Sequence, residues 1–385
     1  MLTVEECASL ADLDGMREEW EEFTGRVESA SFFSTWEWVE ACWRHAAPGK
    51  QPFVLVARDG KGCIVALLPL ARTRRFNLLP VIEVLGCNTT GYPLGDYGGP
   101  VAVPEAEPQA WGAFLDYLQH MRWVAIDLKN CMTGSAYREE QLTRLYEQTG
   151  SDMGWQVRFT RSGISRLIPL PTTFDDYLAG LGASTRQNIR RKLRRLQQAG
   201  LSIEHIPCHN EVQRNEVLEA LFTLHQMRWA GNVSGGGFRD EYVRDMHRHL
   251  ARRLAQRGWL DLRVVRSAHG QILGVIYNFK YRGTVYFYQL GSTTDEPWAS
   301  YSLGFCLLAD SIRAAIMDGY HTFDMLRGDH EYKKHFGGYT QNNLAVTVYR
   351  YAWLPALEHA LRKTHGRLRQ YIRSRSMPQP HASSF

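Results

Sequence analysis

The sequence predicts a mixed α/β fold, of the α+β kind with mixed sheets, arranged as two similar domains. Three observations carry that expectation. The 385 residues exceed a usual single domain. Helix-period and strand-period stretches alternate along the chain and do not segregate into runs of one kind. The two halves also share an element order: helices, a three-strand meander, a loop, a helix and another strand.

In the first half, helical stretches at 12–24 and 35–46 precede strand-like runs at 53–58, 64–72 and 81–85. A Gly/Pro-rich loop at 88–100 leads to a helix over 104–121. Short strands and helices then alternate at 124–128, 137–149, 155–159 and 164–169. The second half opens with helices at 184–199, 212–229 and 240–257. A meander follows at 260–266, 272–281 and 284–290, and Arg282-Gly283 suits the tight turn between its last two strands. The loop 291–301 enters an apolar helix at 303–317 that Gly319 stops, and strands at 322–326 and 344–351 close the pattern. The expected domains are therefore 1–170 and 171–353, with a basic helix and tail at 354–385.

Composition excludes several classes. The longest apolar run, 64–71, contains Pro69 and falls far short of the roughly 18 residues that a membrane helix needs. An acidic N-terminus without a leader pattern predicts no export. Seven scattered cysteines with no C-x-x-C pair predict free thiols in a reducing, cytoplasmic setting. His247 and His249 form an H-x-H without a second ligand pair nearby, so no metal is expected. Net charge is only +5, but basic residues concentrate at 186–195 and 350–375, which suits an anionic substrate, a cofactor or a nucleic acid.

Four groups of residues could carry chemistry. In the strand–loop–helix unit 284–317, unpaired N–H groups at the helix start offer a pyrophosphate site near Tyr301, Ser302 and Gly304. Gly304 reads equally well as a packing glycine. In the block 323–338 a strand delivers Asp324 and Arg327 to its end, Gly328 turns the chain, and Lys333 emerges between Tyr332 and Phe336 as a held cation able to stabilise an oxyanion. By spacing alone, Arg327 and Asp329 read equally as a surface ion pair. The basic helix 184–199 sets Arg186 and Arg190 beside a stripe of Ile189, Leu193 and Leu196, as phosphate contacts or as a solvated face. On helix 212–229, His225 and Arg228 share a face beside Trp229, and the histidine suits proton transfer or plain packing. Tyr288 could line an acyl slot or belong to the core. The basic stretch 354–375 could touch an anionic membrane surface or lie solvated.

The string D-x-x-R-G-x-x-x-Y-K-x-x-F-G from Asp324 to Gly337, with 184–192 and 224–229, resembles the CelD-like acetyltransferases of bacterial exopolysaccharide and cellulose loci. That group is related to the Fem aminoacyl-transferases, which build peptidoglycan cross-bridges from aminoacyl-tRNA. The strings 32–38 and 96–100 support the resemblance, which spans roughly residues 30–350. It implies tandem GCN5-related N-acetyltransferase-like domains. It also implies transfer of an acyl group from acyl-CoA or an acyl carrier protein to an amine or hydroxyl of a small-molecule, glycan or peptide-precursor acceptor. Lys333 matches the lysine of the Fem F-K-x-x-F-G motif near the reacting carbonyl, and Asp324 matches an upstream strand acid; Asp324 or His225 would deprotonate the acceptor. Two departures stand out. The stretch 299–304 lacks the first basic residue and the first glycine of the Q/R-x-x-G-x-G/A coenzyme A pattern, and no Fem-like heptad arm is present. The donor therefore stays open between acyl-CoA, a carrier protein and aminoacyl-tRNA, with a non-catalytic binding module as a third reading.

Overall fold

The computed structural model describes residues 2–75, 78–87, 94–132, 136–229 and 236–357. The basic segment proposed to meet a membrane surface lies almost wholly outside the described residues. The first half supplies β1 (Thr3–Cys7), α1 (Leu10–Gly15), α2 (Arg17–Arg26), α3 (Trp36–Arg44), β2 (Gln51–Arg58), β3 (Ile64–Arg75), β4 (Leu79–Val84), β5 (Val101–Ala102), α4 (Glu107–Gln119), β6 (Ala125–Met132), α5 (Ala136–Asp152) and β7 (Gln156–Pro169). The second supplies α6 (Phe174–Ala179), α7 (Ala183–Gln198), β8 (Ser202–His205), α8 (Glu211–Trp229), α9 (Glu241–Arg257), β9 (Leu260–Arg266), β10 (Ile272–Tyr281), β11 (Thr284–Ser292), α10 (Leu303–Met317), β12 (Thr322–Arg327), α11 (Glu331–Lys334) and β13 (Tyr339–Tyr349).

All these strands join one mixed sheet, in the order β1-β2-β3-β4-β6-β13-β7-β12-β11-β10-β9-β8 with β5 on β3. The halves interlock at its centre. β13 from the second half pairs with both β6 and β7 of the first, and β7 in turn pairs with β12. The runs 155–159 and 164–169, expected as two strands, form the single strand β7. The stretch between them at Ser162-Gly163 is a bulge: Asn343 opposes Gly163, Leu344 opposes Arg161, and Gly163 takes a φ of +142°.

Strand alternation sorts the core onto two faces. Val54 and Val56 of β2 join Trp20, Trp36 and Trp38, and that cluster continues through Leu221, Leu250, Tyr277 and Phe279 into the second half. Phe53 and Leu55 point to the other face, against Trp111 and Phe114 of α4. There α10 packs with Ile189 and Leu196 of α7, the stripe read from the helical period.

Two parallel pairs matter for the site: β4 with β6, crossing through α4, and β11 with β12, crossing through α10. Each pairing is brief. β11 and β12 pair from Thr284↔Thr322 to Tyr286↔Asp324 and then part, so among the described residues the backbone from Phe287 to Ser292 has no strand partner on that side. A notch opens there.

Candidate active site

One wall of the notch is the end of β12. The register against β7 shifts between Asp324 and Arg327, and Leu326 adopts a φ of +55°, a conformation that a branched side chain holds only when its surroundings fix it. Two buried charges do the fixing. Asp324, 2% exposed, accepts the Leu326 N–H at 2.8 Å. Lys333, 4% exposed, reaches back from α11 and donates to the carbonyls of Met325, Leu326 and Arg327 at 2.6, 3.2 and 3.0 Å. Burial pushes the Asp324 carboxyl up to about 7 and pulls the Lys333 ammonium down to about 8. The lysine expected to present its charge as a held cation is directed at the backbone in this structure. An ammonium has three N–H groups, and each is aimed at a strand carbonyl. Phe336 anchors the turn from the core, whereas Tyr332 stands partly exposed and stacks on His330 at 5.8 Å.

The first half reaches into this wall. The Tyr97 hydroxyl donates to Asp324 Oδ2 at 2.6 Å. Asp96 accepts the Arg327 N–H at 3.4 Å and lies 3.6 Å from its Nε, so the acid beside Arg327 is Asp96, and Asp329 stays exposed. Burial raises the Asp96 carboxyl, and the Arg327 guanidinium opposes that rise. Asp96 and Tyr97 are absent from the residues expected to form the site. Their signal is the Asp96-Tyr97-Gly98-Gly99-Pro100 string, in which two glycines follow two polar groups.

α8 forms the opposite wall. His225, 3% exposed, lies edge-on to Phe238 at 5.1 Å, and Gln289 raises its imidazole slightly against burial. Among the described residues its Nδ1 has no hydrogen-bond partner. Burial, with Arg228 second, pulls the imidazole down to about 4, leaving it neutral. Trp229 sits 6.1 Å from it. Arg228 is exposed, and its charge reaches His330 and Tyr332 across the notch. Tyr288 occupies a bulge of β11, where Tyr277 opposes Gln289 and Asn278 opposes Phe287. Its hydroxyl donates to the Leu94 carbonyl at 2.9 Å and accepts from His247 Nε2 at 3.1 Å. Burial pulls His247 down to about 3.

These depressed imidazoles give an acid-stability prediction. Below their ordinary value of 6.5, the unfolded chain binds protons that the folded chain refuses, so stability falls as pH drops towards 4. Asp324 works oppositely, because its raised value lets the folded chain take up a proton first as pH falls through about 7. His247→Phe should therefore lose about 3 kcal/mol less than the parent between pH 7 and pH 4, as read from urea denaturation at both.

The floor of the notch is the start of α10. Its first turn presses on β11: a Cβ on Gly304 would lie 3.0 Å from Leu290 Cδ2, so this is a packing glycine. Ser302 takes a left-handed φ of +54° before the helix. Lys192 of α7 donates to Ser302 Oγ at 2.5 Å, and Arg195 donates to the Ser300 carbonyl and hydroxyl at 3.2 Å each. Lys192 lies over Phe305, and Arg195 over Tyr301 at 4.7 Å. No carboxylate pairs with either cation among the described residues. Arg186 and Arg190, read from the sequence as phosphate contacts or a solvated face, bond elsewhere in this structure. Arg186 caps the carbonyls of Leu178, Ala179 and Leu181, and Arg190 faces Asp175 at 3.2 Å, so the helix offers a different pair. No cluster of three His, Cys, Asp or Glu side chains converges among the described residues as for a metal ion.

Residues 183–334 match the family model described as an acetyltransferase (GNAT) domain. No curated protein matches the chain. Among solved structures, FemX superposes with a TM-score of 0.62 at 12% identity, covering 90% of this chain and 97% of that one. The C-terminal domain of a putative lysylphosphatidylglycerol synthetase from Agrobacterium fabrum gives 0.53 at 12%, covering 91% and 95%. A tandem GNAT protein from the clavulanic acid biosynthesis pathway gives 0.50 at 13%, covering 90% and 98%. At these identities the likeness speaks for the fold. Residues 183–334 thus form a GNAT-type acetyltransferase domain, and the chain is similar in fold to FemX and to a tandem GNAT protein.

Proposed function

We propose that this chain moves an acyl group from a thioester, acyl-CoA or acyl carrier protein, to an amine or hydroxyl acceptor. One observation carries the reading: the β11–β12 pair opens over the start of α10, where Lys192 and Arg195 stand without acidic partners among the described residues. Phosphates of the donor would rest on the α10 N–H groups and these two cations. Its extended arm would lie along the unpaired edge of β11 like an added strand, with a backbone N–H polarising the thioester carbonyl. The acceptor attacks that carbon, the C–S bond breaks, and the thiolate departs as a thiol on gaining a proton. Asp324 takes the acceptor's proton, since a carboxylate near 7 is a better match to neutral pH than an imidazole near 4. His225 then shapes the wall, and Lys333 holds the β12 end. A glycan or peptide-precursor acceptor in exopolysaccharide or envelope synthesis fits the resemblance to CelD-like enzymes.

The likeness to FemX favours a second reading, in which aminoacyl-tRNA is the donor and the exposed Arg191 and Arg194 of α7 meet its backbone. Thermal unfolding with acetyl-CoA, longer acyl-CoAs and tRNA separates the two. A donor at a hundred times its Kd should stabilise the fold by about 2.7 kcal/mol. Stabilisation by tRNA alone would transfer the case to the second reading, and no response to any donor would leave a binding module without transfer chemistry.

A further inference from the structure

The first half has a counterpart of the notch, and its own chain fills it. β4 and β6 stop pairing at Glu83↔Asp127, and the segment 95–99 passes between their ends. A Cβ on Gly98 would lie 2.5 Å from the Lys129 carbonyl and 3.0 Å from the Val84 side chain. One on Gly99 would lie 3.0 Å from Cys131 Sγ, and one on Gly95 2.7 Å from the Trp38 ring. Only glycine fits such approaches. The cleft left beside the segment is lined by Phe33, Trp38, Val84 and Lys129 along with Asp96 and Tyr97.

A segment wedged so tightly is a rigid arm, and what it carries is directed at the other half. Tyr97 holds a φ of +60°, its ring lies edge-on to Phe33 at 6.0 Å, and its hydroxyl ends on Asp324. We propose that Tyr97 is a positioning residue for transfer in the second half: wedged in place by the glycine segment, its hydroxyl orients the Asp324 carboxylate and supplies it with a hydrogen-bond donor. The proposal rests on the acyltransfer reading for its kinetic consequence and on geometry alone for the contact.

The groups that face Asp324 are Tyr97 and Asp96 from the segment, Tyr286 from β11 and Lys333 from α11. Asp96 pushes the carboxyl up. The Tyr97 hydroxyl, the Leu326 N–H and Lys333 pull it down against the larger effect of burial. A donor to a carboxylate favours its charged form, so removing the Tyr97 hydroxyl should raise the pH at which Asp324 ionises.

The test is Tyr97→Phe, which keeps the ring and its packing. Carbon-13 NMR of labelled aspartate, with Asp324→Asn for assignment, should show the Asp324 midpoint moving up by about one pH unit. The acid limb of kcat/KM should move with it, while the KM for the donor stays unchanged. Gly98→Ala, which displaces the arm without touching the ring, should move the midpoint the same way. An Asp324 midpoint that stays put in Tyr97→Phe overturns the inference, as does a shifted midpoint with an unmoved acid limb. If the parent protein transfers no acyl group at all, the acyltransfer reading fails, and the NMR titration alone still decides whether Tyr97 governs Asp324.

Discussion

Lys333→Met is expected to lower the stability of the fold by about 3 kcal/mol in urea denaturation, with loss of activity following from loss of structure. Methionine matches the length of the lysine stem and fills the same space, so a cavity is not the cause. The cause is three carbonyls of a bulged strand end, at Met325, Leu326 and Arg327, left without their donor, and Asp96 and Asp324 left without the nearest ammonium. Part of the penalty is offset, because burial already disfavours the charged lysine, whose value is pulled down to about 8. That depression has its own pH signature. Between pH 8 and the ordinary lysine value of 10.5 the unfolded chain holds a proton that the folded chain has released, so the parent gains stability as pH rises through this window. The methionine variant should lack that gain. A variant that is dead in transfer yet as stable as the parent would return Lys333 to the reacting carbonyl, as its match to the Fem motif implies.

The local parts of this fold are legible in the sequence, and the joins are not. The apolar helix at 303–317 between two strand-like runs announces the β11–α10–β12 crossover, because helix and strand periods are properties of neighbouring residues. The insertion of β13 between β6 and β7 leaves no local trace, since strand pairing across some two hundred residues is chosen by the whole sheet. The site divides in the same way. Asp324, Arg327 and Lys333 belong to one short stretch, and the turn at Gly328 brings them together. Their partners Asp96 and Tyr97 arrive from the other half, so no spacing rule links them. The H-x-H at 247 and 249 shows the reverse case, a sequence neighbourhood that the fold breaks. Two residues apart on a helix point to different sides, and His247 turns inward to Tyr288 while His249 bonds Glu40 at 2.7 Å. The basic helix is legible in part. Its period identifies the apolar stripe, but the choice among its cations depends on what stands opposite each one, and Lys192 and Arg195 are those that bond Ser302 and Ser300 at the start of α10.

Replacing those two together, Lys192→Met with Arg195→Met, is expected to weaken donor binding by about a hundredfold while kcat changes little. A charge-assisted hydrogen bond contributes about 1.5–3 kcal/mol where it is sheltered, and less where solvent screens it. Arg195 is exposed and Lys192 partly so, which sets the combined loss near the lower end of two such bonds. Among the described residues neither cation gives up a carboxylate to meet the donor, since the bonds they make there run to serine oxygens and the Ser300 carbonyl. The effect should fall on KM because the phosphates keep their charge through the reaction, so ground and transition states lose the same contact. Arg190→Met supplies the contrast. That side chain faces Asp175 at an exposed site, and its loss should change donor affinity by less than about twofold. Raising salt should weaken the parent towards the double variant and leave the variant nearly unchanged, because screening removes the same attraction that the substitutions remove. If Arg191→Met and Arg194→Met weaken binding as much as the Lys192–Arg195 pair does, the donor runs along the whole exposed face of α7, as a nucleic-acid backbone would, and the thioester reading gives way to aminoacyl-tRNA.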